Sequence, residues 1–399
     1  MAKFTFENLQ FSLKDDFVRV IFLKIYSFNL DNRELEKLGK FKVERHSIIF
    51  SDNKKESNLE QKFNFILTKG FESMKSTING KPALYIHKNS GIPLIGSNEF
   101  GIIDRGTNTI EIKPLTTCNI DCIFCSVDHT KRSSDVVVEK DYLVEELKKV
   151  IAIKENRVNI HIGSQGDSSL YGELVELVKD IREIPQVNAI SMVTNGIVIT
   201  KTKADELIKA GMTHFHISLH SLDRVKADEL ANAPYPVEKV MDVCRYIVKQ
   251  AHLLIVPVLV PGVNDKDIED VIMFAKEIGA DLGVQNFLEY KYGKKPSNPI
   301  SMKLFFHKLK LLEEKLDVDL TSLNSDLEFK EDNKLPKPFK KGEVIEVEIV
   351  AKDRLKNSMI GVCGERNITI INCFKNKGMI KVKLLRDKDN VFIGLPAKS

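Results

Sequence analysis

The chain has 399 residues, 43% of them hydrophobic, and carries 60 Lys or Arg against 56 Asp or Glu; that length exceeds one ordinary core and implies two or three domains. No run approaches the roughly 18 apolar residues of a membrane span, and the alternating start MAKFTFENLQFSLKDD reads as a strand rather than a secretory leader. Six cysteines are too few for a disulfide framework, so a soluble, cytoplasmic protein with thiols kept for a metal is expected.

The first hundred residues read as a β-rich cap, taken as 1–105. FVRVIFLKIYSF and PALYIHK have strand composition, and SDNKKESNLEQK reads as an exposed loop. A regular alternation begins at NTIEIKPLTT, a strand that ends just before a cluster of cysteines. Helix KDYLVEELKKVIAIKEN, strand RVNIHIG, helix LYGELVELVKDIRE, strand NAISMVT, helix KADELIKAG and strand THFHISL follow. Helical segments from Asp223 to about Gln250 lead to strand HLLIVPVLV, helix KDIEDVIMFAKEIGA and strand DLGVQNFLEY. Six strands alternating with helices imply parallel pairing and right-handed crossovers. The expected α/β fold is therefore a partial (β/α)6 TIM-like barrel over 106–320, with ligands gathered at the carboxyl ends of its strands.

SMKLFFHKLKLLEEKL adds one amphipathic helix, and the polar, proline-punctuated stretch 321–336 reads as a linker. Residues 337–399 carry about five short strands with Gly-containing turns, which suits a small β-barrel. The net charge of +4 is uneven: 334–399 hold 15 Lys or Arg against 7 Asp or Glu, a net of +8, which leaves −4 for the remainder. A basic module on a slightly acidic body suggests a handle for a polyanion, beside the plainer alternative of a solvated lysine-rich surface.

TTCNIDCIFC, residues 116–125, sets Cys118, Cys122 and Cys125 in a C-x3-C-x2-C spacing. Three thiolates in one tight loop leave a coordination position open. With His129 four residues on, the same cysteines could alternatively make a Cys3His zinc site. The remaining Cys244, Cys363 and Cys373 are scattered and make no second cluster spacing.

This spacing resembles that of the radical S-adenosylmethionine superfamily. The resemblance implies that Cys118, Cys122 and Cys125 hold three irons of a [4Fe–4S] cluster, with the fourth iron chelated by S-adenosylmethionine. Reductive cleavage would then supply a 5′-deoxyadenosyl radical, fed by an electron donor such as ferredoxin or flavodoxin. Phe124 stands where family members commonly carry an aromatic near the adenine. Gly166 and Asp167, in HIGSQGDSSLY, resemble the family's Gly-Gly-Glu turn for the methionyl amine, with Asp in place of Glu. Asn195 in TNG, Ser218 and His220 in SLHS, and the turn VPGVND lie at further strand ends where the family contacts its cofactor.

KPFKKGEVIEVEIVAKDR and the strands after it resemble the TRAM domain appended to several tRNA-modifying enzymes. The resemblance implies RNA contacts from Lys340, Lys341, Lys352, Arg354, Lys356, Arg366, Lys381, Lys383, Arg386 and Lys388. The succession of cap, partial barrel and β module also resembles a group of uncharacterised archaeal radical S-adenosylmethionine proteins. The resulting expectation is an enzyme that modifies RNA, most simply tRNA, at an unactivated carbon by methylation or related chemistry. Its rivals are a radical enzyme acting on a protein side chain or cofactor precursor, and a zinc-containing nucleic-acid-binding protein.

Overall fold

The computed structural model describes residues 2–51, 56–321 and 327–397. Leu9–Leu13, Phe17–Phe22 and Tyr26–Asp31 pair as an antiparallel sheet. Their alternation turns Val18, Val20, Phe28 and Leu30 inward. The stretch read as one strand, FVRVIFLKIYSF, is a hairpin folded at Leu23 and Lys24, both at positive φ. Ala2–Thr5, Ser47–Ser51 and Lys40–Glu44 make a second small sheet. Against these packs the helix Glu56–Glu72, where Leu59, Phe63, Ile66 and Leu67 recur every three or four residues. Phe63 stacks on Phe4 with ring centroids 5.5 Å apart.

This helix corrects the expected loop SDNKKESNLEQK: 52–55 lie outside the described residues, and from Glu56 the chain is helical. The polar composition of its first turns masked a period that begins only at Leu59. A second element was not anticipated. Asp135–Val138, four residues all buried, pairs in parallel with Ala83–Ile86 and binds the cap to the central domain.

The central sheet runs in the order Asp281–Leu282, His252–Ile255, His214–Ile217, Val187–Thr194, Val158–Ile162, Thr109–Lys113, Gly101–Asp104. The six strands from Thr109 onward are parallel, and Gly101–Asp104, inside the segment read as cap, pairs antiparallel at the edge. The sheet stays open, whereas the C-terminal strands close into a barrel. Ile110, Ile160, Ile190 and Phe215 face one way and share a buried cluster with Leu143, Leu177, Leu207 and Val240 of the crossover helices. The opposite face presents Glu111, His161, Ser191 and His214 in register across four strands. This polar inner face is why the strand THFHISL alternates histidine with Phe and Ile.

Pro257 has no N–H to give a ladder, and the fifth expected strand accordingly breaks into His252–Ile255 and Val258–Leu259. The second piece pairs with Gln285–Asn286 above the main sheet.

The C-terminal module is a closed five-stranded barrel of Val344–Lys352, Ser358–Cys363, Arg366–Ile371, Ile393–Pro396 and Gly378–Arg386. Ile345, Val347, Ile368, Ile370, Val382 and Phe392 fill it. The barrel is built onto the body rather than tethered to it. Asn367 and Phe392 donate backbone N–H groups to the carbonyls of Ile95 and Gly96, at 2.9 and 2.8 Å. The described part of the expected linker is likewise pinned, while 322–326 lie outside the described residues. Asp332 accepts from the N–H groups of Glu155 and Asn156, and Leu335 N–H donates to Asp104, itself ion-paired with buried Lys154 at 2.7 Å. Among the described residues no helix is long and apolar enough to cross a membrane.

Candidate active site

The strand Thr109–Lys113 delivers the chain to Leu115, Thr116 and Thr117, all buried, and then into the cysteine loop. Thr117 is held from two sides: its Oγ1 lies 2.9 Å from Tyr26 Oη of the cap and donates to Asp135 Oδ2 at 2.9 Å. The strand Asp135–Val138 and the cap thus fix where the loop begins. Gly166 of the next strand end presses on the same backbone. A Cβ there would sit 2.0 Å from the Thr117 carbonyl oxygen, so only glycine fits. The N–H of Asp167 donates to that carbonyl at 2.9 Å.

Cys118, Cys122, Cys125, Phe124, Gly166, Asp167, Asn195, Ser218 and His220 all line one cavity of about 1230 Å³. The sequence therefore identified residues of one site, drawn from four strand ends. The cavity extends along the inner sheet face past His216, His214 and His252, and is flanked by Phe306 and Phe329 on its open side.

The three thiols are free. Burial pushes all three up, Cys122 to about 12, and the carboxylate of Asp167 acts in the same direction on Cys118. Cys122 and Cys125 further raise Cys118, and Cys125 raises Cys122, so three thiolates can coexist only around compensating positive charge. A soft, multiply charged iron–sulfur cluster suits that donor set. Among the described residues no three His, Cys, Asp or Glu side chains converge to grip a single ion. His129 lines the same cavity as the three cysteines, and burial together with the neighbouring Arg132 pushes its imidazole down to about 4.

Asp167 departs from the role its resemblance implied. Its Oδ1 accepts from Ser169 N–H at 2.9 Å, from Ser169 Oγ and from Thr194 Oγ1 at 2.9 Å. Its Oδ2 accepts from Asn195 N–H at 2.7 Å and Thr194 Oγ1 at 3.1 Å. Four donors, making five contacts with the two oxygens, occupy the roughly four lone-pair sites of the carboxylate and leave no spare acceptor for a ligand amine. One methylene shorter than Glu, it folds back and knots two strand ends together. Asn195 is also committed: its Nδ2 donates to Asn119 Oδ1 at 2.8 Å, tying the third strand to the cysteine loop. His220 Nδ1 accepts the N–H of Val258 at 3.1 Å, which leaves the ring neutral with its proton on Nε2. Burial pushes this imidazole down to about 4, and Phe124 packs edge-on against it at 4.7 Å. Ser218 lines the cavity beneath it.

Several contributors were not read from the sequence. Tyr235 Oη donates to the carbonyls of Asn195 and Ser218, at 2.7 and 3.2 Å. Asn264 of VPGVND is fully buried and bonds Val260, Val258 and His220 main chain. Lys294 lies over the cysteine loop, its N–H on the Cys125 carbonyl and its ammonium 2.7 Å from Asp121 Oδ1. Tyr235 and Lys294 have no local signal, because each bridges segments distant in the chain, whereas Asn264 lies in the VPGVND turn and bonds mainly within and just ahead of it.

Eight of the ten basic residues expected to contact RNA are exposed: Lys340, Lys341, Lys352, Lys356, Lys381, Lys383, Arg386 and Lys388. Lys381 faces Glu346 across the ladder, which moderates the charge there. Arg354 and Arg366 are buried and must be removed from that set. Arg366 donates to the carbonyls of Pro336 and Glu365, and Arg354 pairs with Glu99, 2.6 Å from its Oε1. Cys363 and Cys373 belong to separate strand ends of the module, and Cys244 is buried in the helix Val237–Ile247.

Residues 112–275 match the family described as the Radical SAM superfamily. A Methanocaldococcus jannaschii protein, described as uncharacterized, is 35% identical over 360 residues, covering 80% of this chain and 82% of that one. A probable GTP 3′,8-cyclase of Pyrococcus abyssi is 27% identical over 313 residues, covering 74% of this chain and 90% of the other. Among solved structures, Streptococcus suis SuiB bound to S-adenosylmethionine aligns with a TM-score of 0.45 and 15% identity, over 78% of this chain and 70% of that one.

Proposed function

We propose that this chain, whose residues 112–275 match the Radical SAM superfamily, is a radical S-adenosylmethionine enzyme that modifies RNA, acting on tRNA at an unactivated carbon. The cofactors of the family are a [4Fe–4S] cluster and S-adenosylmethionine. When bound, they supply a carbon radical able to take a hydrogen atom from an inert C–H bond. Cys118, Cys122 and Cys125 would hold the cluster. The backbone of Gly166 and the walls formed by Phe124, Ser218 and His220 would bound the cofactor. The His216 imidazole on the inner face, held neutral by burial, would offer a donor and an acceptor to a planar substrate without adding charge.

The observation that carries the RNA reading is the C-terminal barrel. Its exposed lysines stand on a module docked beside the cofactor loop, where a folded polyanion could be gripped while one nucleotide turns into the cavity. Methylation is the simplest product, with a ferredoxin or flavodoxin as reductant. The test is to incubate the reconstituted enzyme with small RNA from a strain lacking the gene and digest the RNA to nucleosides for mass spectrometry. A new mass, or a known modification restored, supports the reading; unchanged RNA with turnover elsewhere refutes it.

The similarity to GTP 3′,8-cyclases favours a second reading, a free purine nucleotide as substrate. It is separated from the first by supplying GTP alone.

A further inference from the structure

We propose that Arg354, supplied by the C-terminal barrel, is a positioning residue for the S-adenosylmethionine loop Gln165–Gly166–Asp167. The inference rests on placing that cofactor against Gly166. Arg354 follows the strand Val344–Lys352 and points out of its own barrel into the central domain. Its Nη1 donates to Gln165 Oε1, a contact between residues 189 positions apart, and its guanidinium pairs with Glu99 at 2.6 Å. Both partners of that ion pair are more than nine-tenths buried. The main chain of the turn is fastened as well: Ser133 N–H and Oγ donate to the Arg354 carbonyl at 2.6 and 2.9 Å.

Gln165 is thereby gripped at both ends. Arg354 holds its side chain, while Arg132 Nη2 donates to its carbonyl at 2.7 Å. Arg132 is itself fixed by Asp135 at 3.0 Å and by the Thr116 carbonyl, just ahead of the cysteine loop. The next residue has no slack, since Gly166 already lies against the Thr117 carbonyl with no room for a Cβ. A shift of Gln165 must therefore move Gly166 and the Asp167 knot to Thr194 and Asn195. The small barrel thus completes the wall of the cofactor site even when no RNA is present. Outer-shell groups of this kind hold inner groups in place; around metal sites, losing one typically costs about 10–100-fold in metal affinity or activity.

The test uses the anaerobically reconstituted holoenzyme, full chain, and reads S-adenosylmethionine affinity by equilibrium dialysis together with the change that the cofactor causes in the EPR spectrum of the reduced cluster. Arg354→Lys keeps a cation for Glu99 but loses the fork, and Gln165→Leu removes the hook from the other side. Each is expected to weaken binding about tenfold and to blunt the EPR change, with iron content unaltered. Gln165→Glu keeps an acceptor for Arg354 and should bind within about threefold of wild type. The double variant should cost less than the sum of the two singles, because the two residues share the Arg354–Gln165 contact while Arg354 also pairs with Glu99 and Gln165 also donates to the Asn98 carbonyl. Affinities within twofold of wild type in both single variants, whatever happens to the melting temperature, would overturn the proposal and leave Arg354 a structural anchor. Should Arg354→Lys fail to fold, Gln165→Leu decides alone. A wild-type holoenzyme without S-adenosylmethionine affinity would overturn the site and the proposal together.

Discussion

The backbone N–H of Asn195 donates to Asp167 Oδ2 at 2.7 Å, locking the loop after the second parallel strand to the end of the third. Every donor around Asp167 points at a carboxylate. Asp167→Asn places an NH2 among them and strands at least one buried donor, at a cost of about 1–3 kcal/mol. Asp167→Glu forces an extra methylene into a filled site, at about the same cost. Calorimetry should show lower melting temperatures for both, and dialysis a weaker grip on S-adenosylmethionine. A Glu variant that binds better than wild type would mean that the carboxylate is a direct ligand after all.

The cysteine loop and His129 make a separable pair. Cys125→Ala should abolish iron loading and the brown colour of the anaerobic protein. His129→Ala should leave both intact, because a cluster held by Cys118, Cys122 and Cys125 does not need the imidazole. Iron and sulfide analysis after reconstitution checks this. Loss of metal in the His129 variant would revive the zinc arrangement.

Buried imidazoles set a pH dependence. His216 and His220 are both pushed by burial from 6.5 to about 4. The folded state keeps them neutral while an unfolded chain takes up protons near pH 6.5. Their contribution to stability is therefore complete above about pH 6.5 and is lost as the pH falls toward about 4. His220→Asn keeps an acceptor for Val258 N–H and removes one titrating group. Its melting temperature should fall less steeply between pH 7 and pH 5 than that of wild type. Parallel curves would place the acid sensitivity elsewhere.

Lys352 and Lys356 are exposed on either side of the turn that carries Arg354. Lys352→Glu and Lys356→Glu together should weaken small-RNA binding at moderate salt and reduce the slope of log affinity against log salt by about 1–2. Filter binding across a salt series measures both. An unchanged slope would show that the RNA contacts lie elsewhere.

What the sequence disclosed depended on whether a signal was local. The cysteine spacing, the period-two strands and the period-3.6 helices are local, and the residues they singled out at four strand ends line one cavity. The helix Glu56–Glu72 was missed because its first turns are polar, and the strand Asp135–Val138 because an aspartate and three valines are too few to show a period. Arg354 and Arg366 were assigned to the surface because charge in a lysine-rich module is ordinarily solvated. Their partners, Glu99 and Gln165 for one and the Pro336 carbonyl for the other, lie in other segments. Asp167 shows the same limit: its position beside Gly166 was legible, but two of the four donors that occupy it, the Thr194 hydroxyl and the Asn195 N–H, come from a strand end that only the fold brings near.

The most direct test is 5′-deoxyadenosine formation by the anaerobically reconstituted enzyme, measured with reductant and S-adenosylmethionine alone, with added small RNA from a strain lacking the gene, and with added GTP. Stimulation by RNA and not by GTP is the expected result, and Cys125→Ala should be silent in all three. Stimulation by GTP alone, or a rate indifferent to both, would contradict the RNA reading. Absence of 5′-deoxyadenosine from an iron-loaded enzyme would contradict the radical chemistry itself.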